Sequence, residues 1–154
     1  MKKLRVYVDT SVIGGCLDRE FEVFSNRLIA RAVAGEIVLV ISNHTIIELA
    51  DAPEAVRSVL DELPPASMEE VVLSPEAVAL SEAYIDAGVI GARMRADARH
   101  IAVATVFACD VLVSWNFKHI VNLQRMHGYN SVNLREGYSL LEIRTPRELT
   151  NDGY

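Results

Sequence analysis

The chain has 154 residues, of which 51% are hydrophobic and 23% are charged, and its formal net charge is −6. This length and apolar content suffice for one buried core, and they exclude intrinsic disorder and fibrous repeats. The longest apolar stretches, such as residues 101–109, are about half the length that a membrane-spanning helix needs. No leader with a basic start and an apolar centre opens the chain. We therefore expect a single domain, residues 1–154, that does not enter a membrane.

The two cysteines, Cys16 and Cys109, stand in apolar surroundings without metal-type spacing. Such cysteines are typical of reduced core thiols, which predicts a cytoplasmic protein. The charge is distributed unevenly, since residues 92–135 carry six basic and two acidic side chains while the rest of the chain is mostly acidic. An acidic chain is a poor non-specific binder of nucleic acid, but a basic segment of this kind can follow a phosphate backbone.

Short apolar runs alternate with amphipathic helical segments along the whole chain. The runs that predict strands cover residues 4–9, 37–41, 71–73, 110–114 and 140–143. Helices are predicted up to Gly35, after a cap at Ser42 or Asn43, over 75–88, from Asp97 to 108, over 117–127 with an end at Gly128, and from Thr145. The alternation predicts right-handed crossovers and an α/β fold of three layers, with a central parallel sheet of about five strands flanked by helices.

Ligands of open parallel sheets gather at the carboxyl ends of the strands. Asp9 ends the first strand, Glu48 lies in the helix after the second, Asp97 opens the helix before the fourth, and Asn116 follows the fourth strand. Carboxylates that share a partly buried cleft need protons or a cation, because they repel one another and lose hydration. A cluster of oxygen ligands without His or Cys suits Mg²⁺ or Mn²⁺.

Each of these residues also has a purely structural interpretation. The alternatives are a turn cap for Asp9, a capping box of Thr45 with Glu48, a helix N-cap for Asp97, and a turn for Asn116. The isolated His100 and His119 are more typical of exposed or core-satisfied side chains than of catalytic ones. Joint placement of the four residues at one sheet edge favours a functional site.

Five sequence segments together resemble the PIN-domain nuclease family. They read VYVDTS at 6–11, TIIEL at 45–49, DARHIAVA at 97–104, LVSWNFKHI at 112–120 and LEIRTPREL at 141–149. The family has an Asp that ends the first strand, a Glu after the second, an Asp that opens a late apolar helix, and usually a fourth acid after the fourth strand. The resemblance covers essentially the whole chain and is greatest to the compact VapC-like toxins of type II toxin–antitoxin modules.

The resemblance implies a PIN-like fold and an Mg²⁺- or Mn²⁺-dependent endoribonuclease that cleaves RNA phosphodiester bonds. Asp9, Glu48 and Asp97 would hold the metal, and Asn116 would support it from a position where many members carry Asp. The resemblance also implies a homodimer and a small antitoxin partner. The candidates for contacting the RNA substrate are Thr10, Ser11, Arg93, Arg95, Arg99, Lys118 and Arg125.

Other protein classes remain as alternatives. A non-catalytic PIN-like protein that binds RNA or acts as a scaffold would keep the fold and the basic segment but would not cleave. A receiver-like phosphorylation module shares the strand–helix alternation, but it needs an acid pair at the first strand, and Val8 precedes Asp9. A P-loop or dinucleotide-binding enzyme is disfavoured, because Gly14-Gly15 lacks the required glycine spacing.

Overall fold

The computed structural model describes residues 2–150, and its centre is a sheet of five parallel strands in the order β3-β2-β1-β4-β5. The strands are β1 (Arg5–Val8), β2 (Val38–Ser42), β3 (Met68–Val71), β4 (Val111–Val113) and β5 (Ile143–Arg144). The central strand β1 pairs with β2 on one side and with β4 on the other. All carboxyl ends of the strands therefore lie at one edge of the sheet.

Helices cover both faces of this sheet. Their bounds are α1 (Thr10–Gly15), α2 (Glu22–Val33), α3 (Asn43–Leu49), α4 (Glu54–Arg57), α5 (Pro75–Asp86), α6 (Arg95–Val106), α7 (Leu123–Arg135) and α8 (Pro146–Thr150). One buried cluster joins Tyr7 and Leu112 of the sheet to α5, α6 and α7. A second cluster joins Val8 and Val113 to α1 and α2 on the opposite face. The predicted three-layer α/β architecture is confirmed.

Two strands are shifted from their predicted positions. The third strand is Met68–Val71 rather than 71–73, because this edge strand pairs on one side only and carries Glu69 and Glu70 in place of an apolar run. The fifth strand is Ile143–Arg144 rather than 140–143. The main chain of Leu141 bonds instead to the side chain of Asn130, which draws that residue toward α7.

The helix predicted over 117–127 is wrong at both ends. Helix α7 begins after Asn122, whose side chain accepts a hydrogen bond from the Arg125 N–H, and it runs through Gly128 to Arg135. A Cβ at Gly128 would lie 2.7 Å from Cγ1 of Val89. Glycine is therefore required here for close packing between α7 and residue 89, and not to end a helix.

The remaining predictions of local structure are closer. Ser42 caps α3, Pro75 begins α5, and the last helix follows Thr145. Both cysteines are buried and unbridged. No helix within residues 2–150 is long and apolar enough to cross a membrane.

Candidate active site

Asp9 lies directly after the central strand and is held by its neighbours on both sides. It is the N-cap of α1, where Oδ1 accepts the Val12 N–H at 3.3 Å and the Ser11 hydroxyl at 2.6 Å. Its Oδ2 accepts the Ser114 hydroxyl at 2.5 Å. The turn cap considered for Asp9 is thus present, and the carboxylate is also buried, with 4% of the residue exposed.

The two serines that hold Asp9 also tie β4 to α1. The Ser11 hydroxyl accepts the Trp115 N–H at 2.9 Å, and the Ser114 hydroxyl accepts the Asn116 N–H at 2.9 Å. Burial raises the pKa of Asp9, while the charge of His100 and the bonds from Ser11, Ser114 and the Val12 N–H oppose that rise. The site therefore fixes a carboxylate whose charge is only partly compensated by the protein.

Asp97 faces the same edge of the sheet from the first turn of α6. The helix begins at Arg95, so the N-cap position predicted for Asp97 is wrong, and Met94 occupies it without a side-chain cap. Burial raises the pKa of Asp97, and the negative charge of Asp9 raises it further against the opposing effects of His100, His119 and Asn116. The two aspartates therefore repel each other electrostatically across the site.

Asn116 presents a donor to this pair. Its Nδ2 donates to Oδ2 of Asp97 at 3.2 Å, and its Oδ1 accepts the His119 N–H at 2.9 Å. The side chain thus forms the turn that follows β4 and contacts Asp97 at the same time. In this arrangement the amide oxygen is already engaged by the main chain.

Glu48 points away from the capping box that Thr45 predicted, because Ser42 caps α3 by accepting the Thr45 N–H. Its Oε1 accepts the Thr10 hydroxyl at 2.5 Å and lies 2.6 Å from Nε2 of His100. Burial alone would raise the pKa of Glu48, but the bond and charge of His100 and the bond from Thr10 outweigh burial and lower it to about 2.

His100 is a site residue that the sequence reasoning missed. It is buried as the core-satisfied interpretation required, but its satisfied nitrogens face Glu48 and the Tyr7 hydroxyl, the latter 2.7 Å from Nδ1. His44 joins it, with ring centroids 4.5 Å apart and Nε2 donating to the Ala96 carbonyl at 3.1 Å. Burial first, and then the charge of His100, lower the pKa of His44. The i, i+4 spacing of His44 and Glu48 was the available sequence signal.

The predicted acidic cluster is divided into two groups. Within residues 2–150, a single set of three His, Cys, Asp or Glu ligand atoms lies within 4.8 Å of one another, and it is His44, Glu48 and His100. The carboxylates of Asp9, Glu48 and Asp97 are thus not all within that distance. Asp9, Asp97 and Asn116 form one group, and Glu48 belongs to the neighbouring histidine group.

The basic residues predicted to contact substrate differ in their exposure and in their contacts. Arg93 and Lys118 are exposed, whereas Arg95 pairs with Glu82 at 3.0 Å. Arg125 donates to the Val89 carbonyl, and with Lys118 it lines a surface cavity of about 510 Å³.

Arg99 differs from these four residues, since its Nε is buried without a hydrogen-bond partner among the described residues. Of the five, Arg93 and Lys118 are thus the two that are exposed and have no ion pair or hydrogen bond to another described residue.

Comparison with known proteins identifies the fold. No protein-family model matches the chain, and no curated protein matches it. A solved structure that does match is that of VapBC2 from Rickettsia felis bound to a DNA fragment from their promoter, with a TM-score of 0.56 and 15% sequence identity. The match covers 92% of this chain and 98% of that chain. The chain therefore has the PIN-like fold that its sequence motifs predicted.

Proposed function

We propose that this protein is a metal-dependent endoribonuclease of the PIN type and the toxin of a type II toxin–antitoxin module. The observation that carries the proposal is the Asp9–Asp97 pair. Asp9 and Asp97 stand 88 positions apart in the chain, and their carboxylates lie near each other at the carboxyl-end edge of the sheet. Burial raises the pKa of both, and the protein compensates their negative charge only in part. Aspartates with a purely structural role are mostly exposed to solvent or paired when they are buried.

The residues present fit a divalent cation. Their donor set is carboxylate oxygen, which Mg²⁺ and Mn²⁺ prefer, and both aspartates have a pKa raised by burial, with Asp97 further raised by Asp9. Asp9 and Asp97 would hold the ion, with Glu48 as the third acid. When bound, such an ion lowers the pKa of a water molecule and offsets charge on the scissile phosphate.

The chain's own residues prepare this site. Ser11, Ser114 and the Val12 N–H fix both oxygens of Asp9, so its carboxylate is oriented before anything binds. The Thr10 hydroxyl holds Glu48 beside α1. We therefore assign Thr10 and Ser11 to positioning the acids rather than to contacting the phosphate. Pre-oriented charge is the main means by which such sites stabilise a transition state.

The substrate and partner assignments are supported by charge and by fold. The exposed Arg93 and Lys118 are the residues we assign to the RNA backbone, and their removal should weaken binding and reduce its salt dependence. The matching VapBC2 structure is a complex, which supports an antitoxin partner for this chain. A homodimer in the cytoplasm remains part of the same proposal.

A non-catalytic PIN-like protein that binds RNA is the second candidate. Asn116 favours it, because an amide donor stands where many PIN members carry a fourth acid, and it reduces the negative charge at the site.

Cleavage assays separate the two candidates. Purified protein should cleave RNA when Mn²⁺ or Mg²⁺ is added, EDTA should stop the reaction, and Asp9→Asn and Asp97→Asn should each abolish it. Asp51→Asn, a change at an exposed acid outside the site, is the matched control and should leave the rate unaltered. If the protein binds RNA but does not cleave it with either Mn²⁺ or Mg²⁺, the non-catalytic candidate is established instead.

A further inference from the structure

The histidine group beside the acid pair has the composition of a metal site of its own. His44 and Glu48 lie one helical turn apart on α3, and His100 reaches them from α6. Nε2 of His100 lies 2.6 Å from Oε1 of Glu48, and Nε2 of His44 lies 4.0 Å from Oε2. Two imidazoles and one carboxylate thus converge from two helices on one small volume.

We propose that His44, Glu48 and His100 form a binding site for a transition-metal dication, distinct in ligand chemistry from the Asp9–Asp97 pair. The site goes beyond the nuclease proposal, although it shares Glu48 with it. Imidazole nitrogen is a good ligand for Co²⁺, Ni²⁺, Cu²⁺ and Zn²⁺, whereas Mg²⁺ and Mn²⁺ prefer oxygen ligands. Two histidines with one carboxylate therefore select against Mg²⁺.

The distances are compatible with one ion after a small movement. The three ligand atoms lie within 4.8 Å of one another. Atoms bonded to a single tetrahedral Zn²⁺ at about 2.0–2.2 Å lie about 3.3–3.6 Å from each other. Closing this difference requires His44 to exchange its 3.1 Å bond to the Ala96 carbonyl for the metal, a change of side-chain position at a partly exposed residue.

His100 already has the surroundings of a ligating histidine. Its Nδ1 lies 2.7 Å from the Tyr7 hydroxyl, and that hydroxyl lies 2.8 Å from the Ser42 hydroxyl, with all three residues buried. Nε2 donates to Glu48 across the 2.6 Å contact in this structure, and a bound metal would take the place of that proton, with Nδ1 then donating to Tyr7. Histidines that bind metals normally have their second nitrogen held in this way, which fixes both the tautomer and the ring orientation.

A plain ion pair between His100 and Glu48 is the competing explanation. It accounts for the 2.6 Å contact, but it assigns no role to His44 and predicts no preference among metals. The two explanations differ in the effect of removing His44, which is 4.0 Å from Glu48 and too distant to stabilise it by a hydrogen bond.

Calorimetric titration of the metal-stripped, tag-free chain with Co²⁺, without RNA, tests the proposal. Co²⁺ should bind wild type and Asp97→Asn, while His44→Ala and His100→Gln should each weaken Co²⁺ binding at least ~10-fold, since even loss of a hydrogen bond to a ligand costs about that much. His127→Ala, which removes an exposed imidazole, is the matched control and should bind Co²⁺ as wild type does. Equal Co²⁺ affinity of wild type and His44→Ala would overturn the proposal, as would loss of binding in His127→Ala.

Pulsed electron paramagnetic resonance of the Cu²⁺-loaded protein gives an independent readout, because Cu²⁺ is paramagnetic and binds imidazole well. Wild type should show modulation from imidazole ¹⁴N, and His44→Ala/His100→Gln should not. If His100→Gln does not fold by circular dichroism, the His44→Ala arm decides alone. Nitrogen modulation with no RNA cleavage would overturn the nuclease proposal only, and cleavage with neither nitrogen modulation nor an effect of His44→Ala on Co²⁺ binding would overturn this one only.

Discussion

Removing the Ser114 hydroxyl should destabilise the fold and the candidate site together. Ser114 is fully buried, donates to Asp9 at 2.5 Å and accepts the Asn116 N–H at 2.9 Å. A hydrogen bond to a charged group contributes about 1.5–3 kcal/mol and a neutral one about 1 kcal/mol. Ser114→Ala should therefore lower the free energy of unfolding by about 2.5–4 kcal/mol. For a chain of this length that loss corresponds to a fall in Tm of about 5–16 °C.

Urea denaturation in EDTA at neutral pH measures this loss. Ser139→Ala, at an exposed serine, is the matched control and should change the unfolding free energy by less than about 0.5 kcal/mol. A loss below that value in Ser114→Ala would refute the assignment of Ser114 as the residue that holds Asp9.

The same variant has a predictable pH dependence. Burial raises the pKa of Asp9, so its ionised form costs stability as pH rises through the folded-state pKa, and the Ser114 bond reduces that cost. The difference between wild type and Ser114→Ala should therefore be largest at neutral pH and should shrink as pH falls and Asp9 becomes protonated. A difference that grows on acidification would contradict this reasoning.

Three further predictions concern other parts of the molecule. Burial and the charge of Asp9 raise the pKa of Asp97, so Asp97→Asn should melt no lower than wild type in EDTA. Mn²⁺ should raise the Tm of wild type but should raise that of the variant little. Equal metal-induced shifts in Tm would exclude Asp97 as a ligand. Gly128→Ala should cost about 1–3 kcal/mol because its methyl group would meet Val89, while Gly14→Ala, with open space around it, serves as the control in the same urea titration. Burial raises the pKa of Cys16 to about 11 and that of Cys109 to about 12. Neither thiol should therefore react with a disulfide reagent at pH 8 until urea unfolds the chain. Rapid labelling of the native protein would contradict the burial of these thiols.

The acid pair and the histidine group differ in how far a sequence can predict them. Asp9 and Asp97 follow from one topological rule, because parallel strands end at one edge and the polar residues after them must meet there. The contact of His100 with Glu48 depends on where α6 crosses α3, which is a property of tertiary packing. The sequence signal from His44 and Glu48 shows that they share a helix face but not what faces them.

The predicted ends of helices and strands are wrong where tertiary contacts override the preferences of individual residues. Gly128 is a strong sequence signal for a helix end, yet its lack of a side chain is used for packing against Val89. The apolar residues 71–73 are typical of a strand, yet the charged Glu69 and Glu70 pair with β2 because they lie at the open edge of the sheet. In both places the position of the residue in the folded chain, and not its intrinsic preference, decides the element boundary.

The attachment of Asp9 to Ser114 also constrains biosynthesis. The two residues are 105 positions apart, and β1 reaches β4 only after most of the chain exists. Contacts of such long sequence separation form slowly, because the intervening loop must first be closed at a cost in entropy. A nascent chain that ends before residue 114 lacks Ser114, Trp115 and Asn116, and Asp9 is then held only by its own helix. A ribosome must therefore add 105 residues after Asp9 before the Ser114 hydroxyl that orients its carboxylate exists.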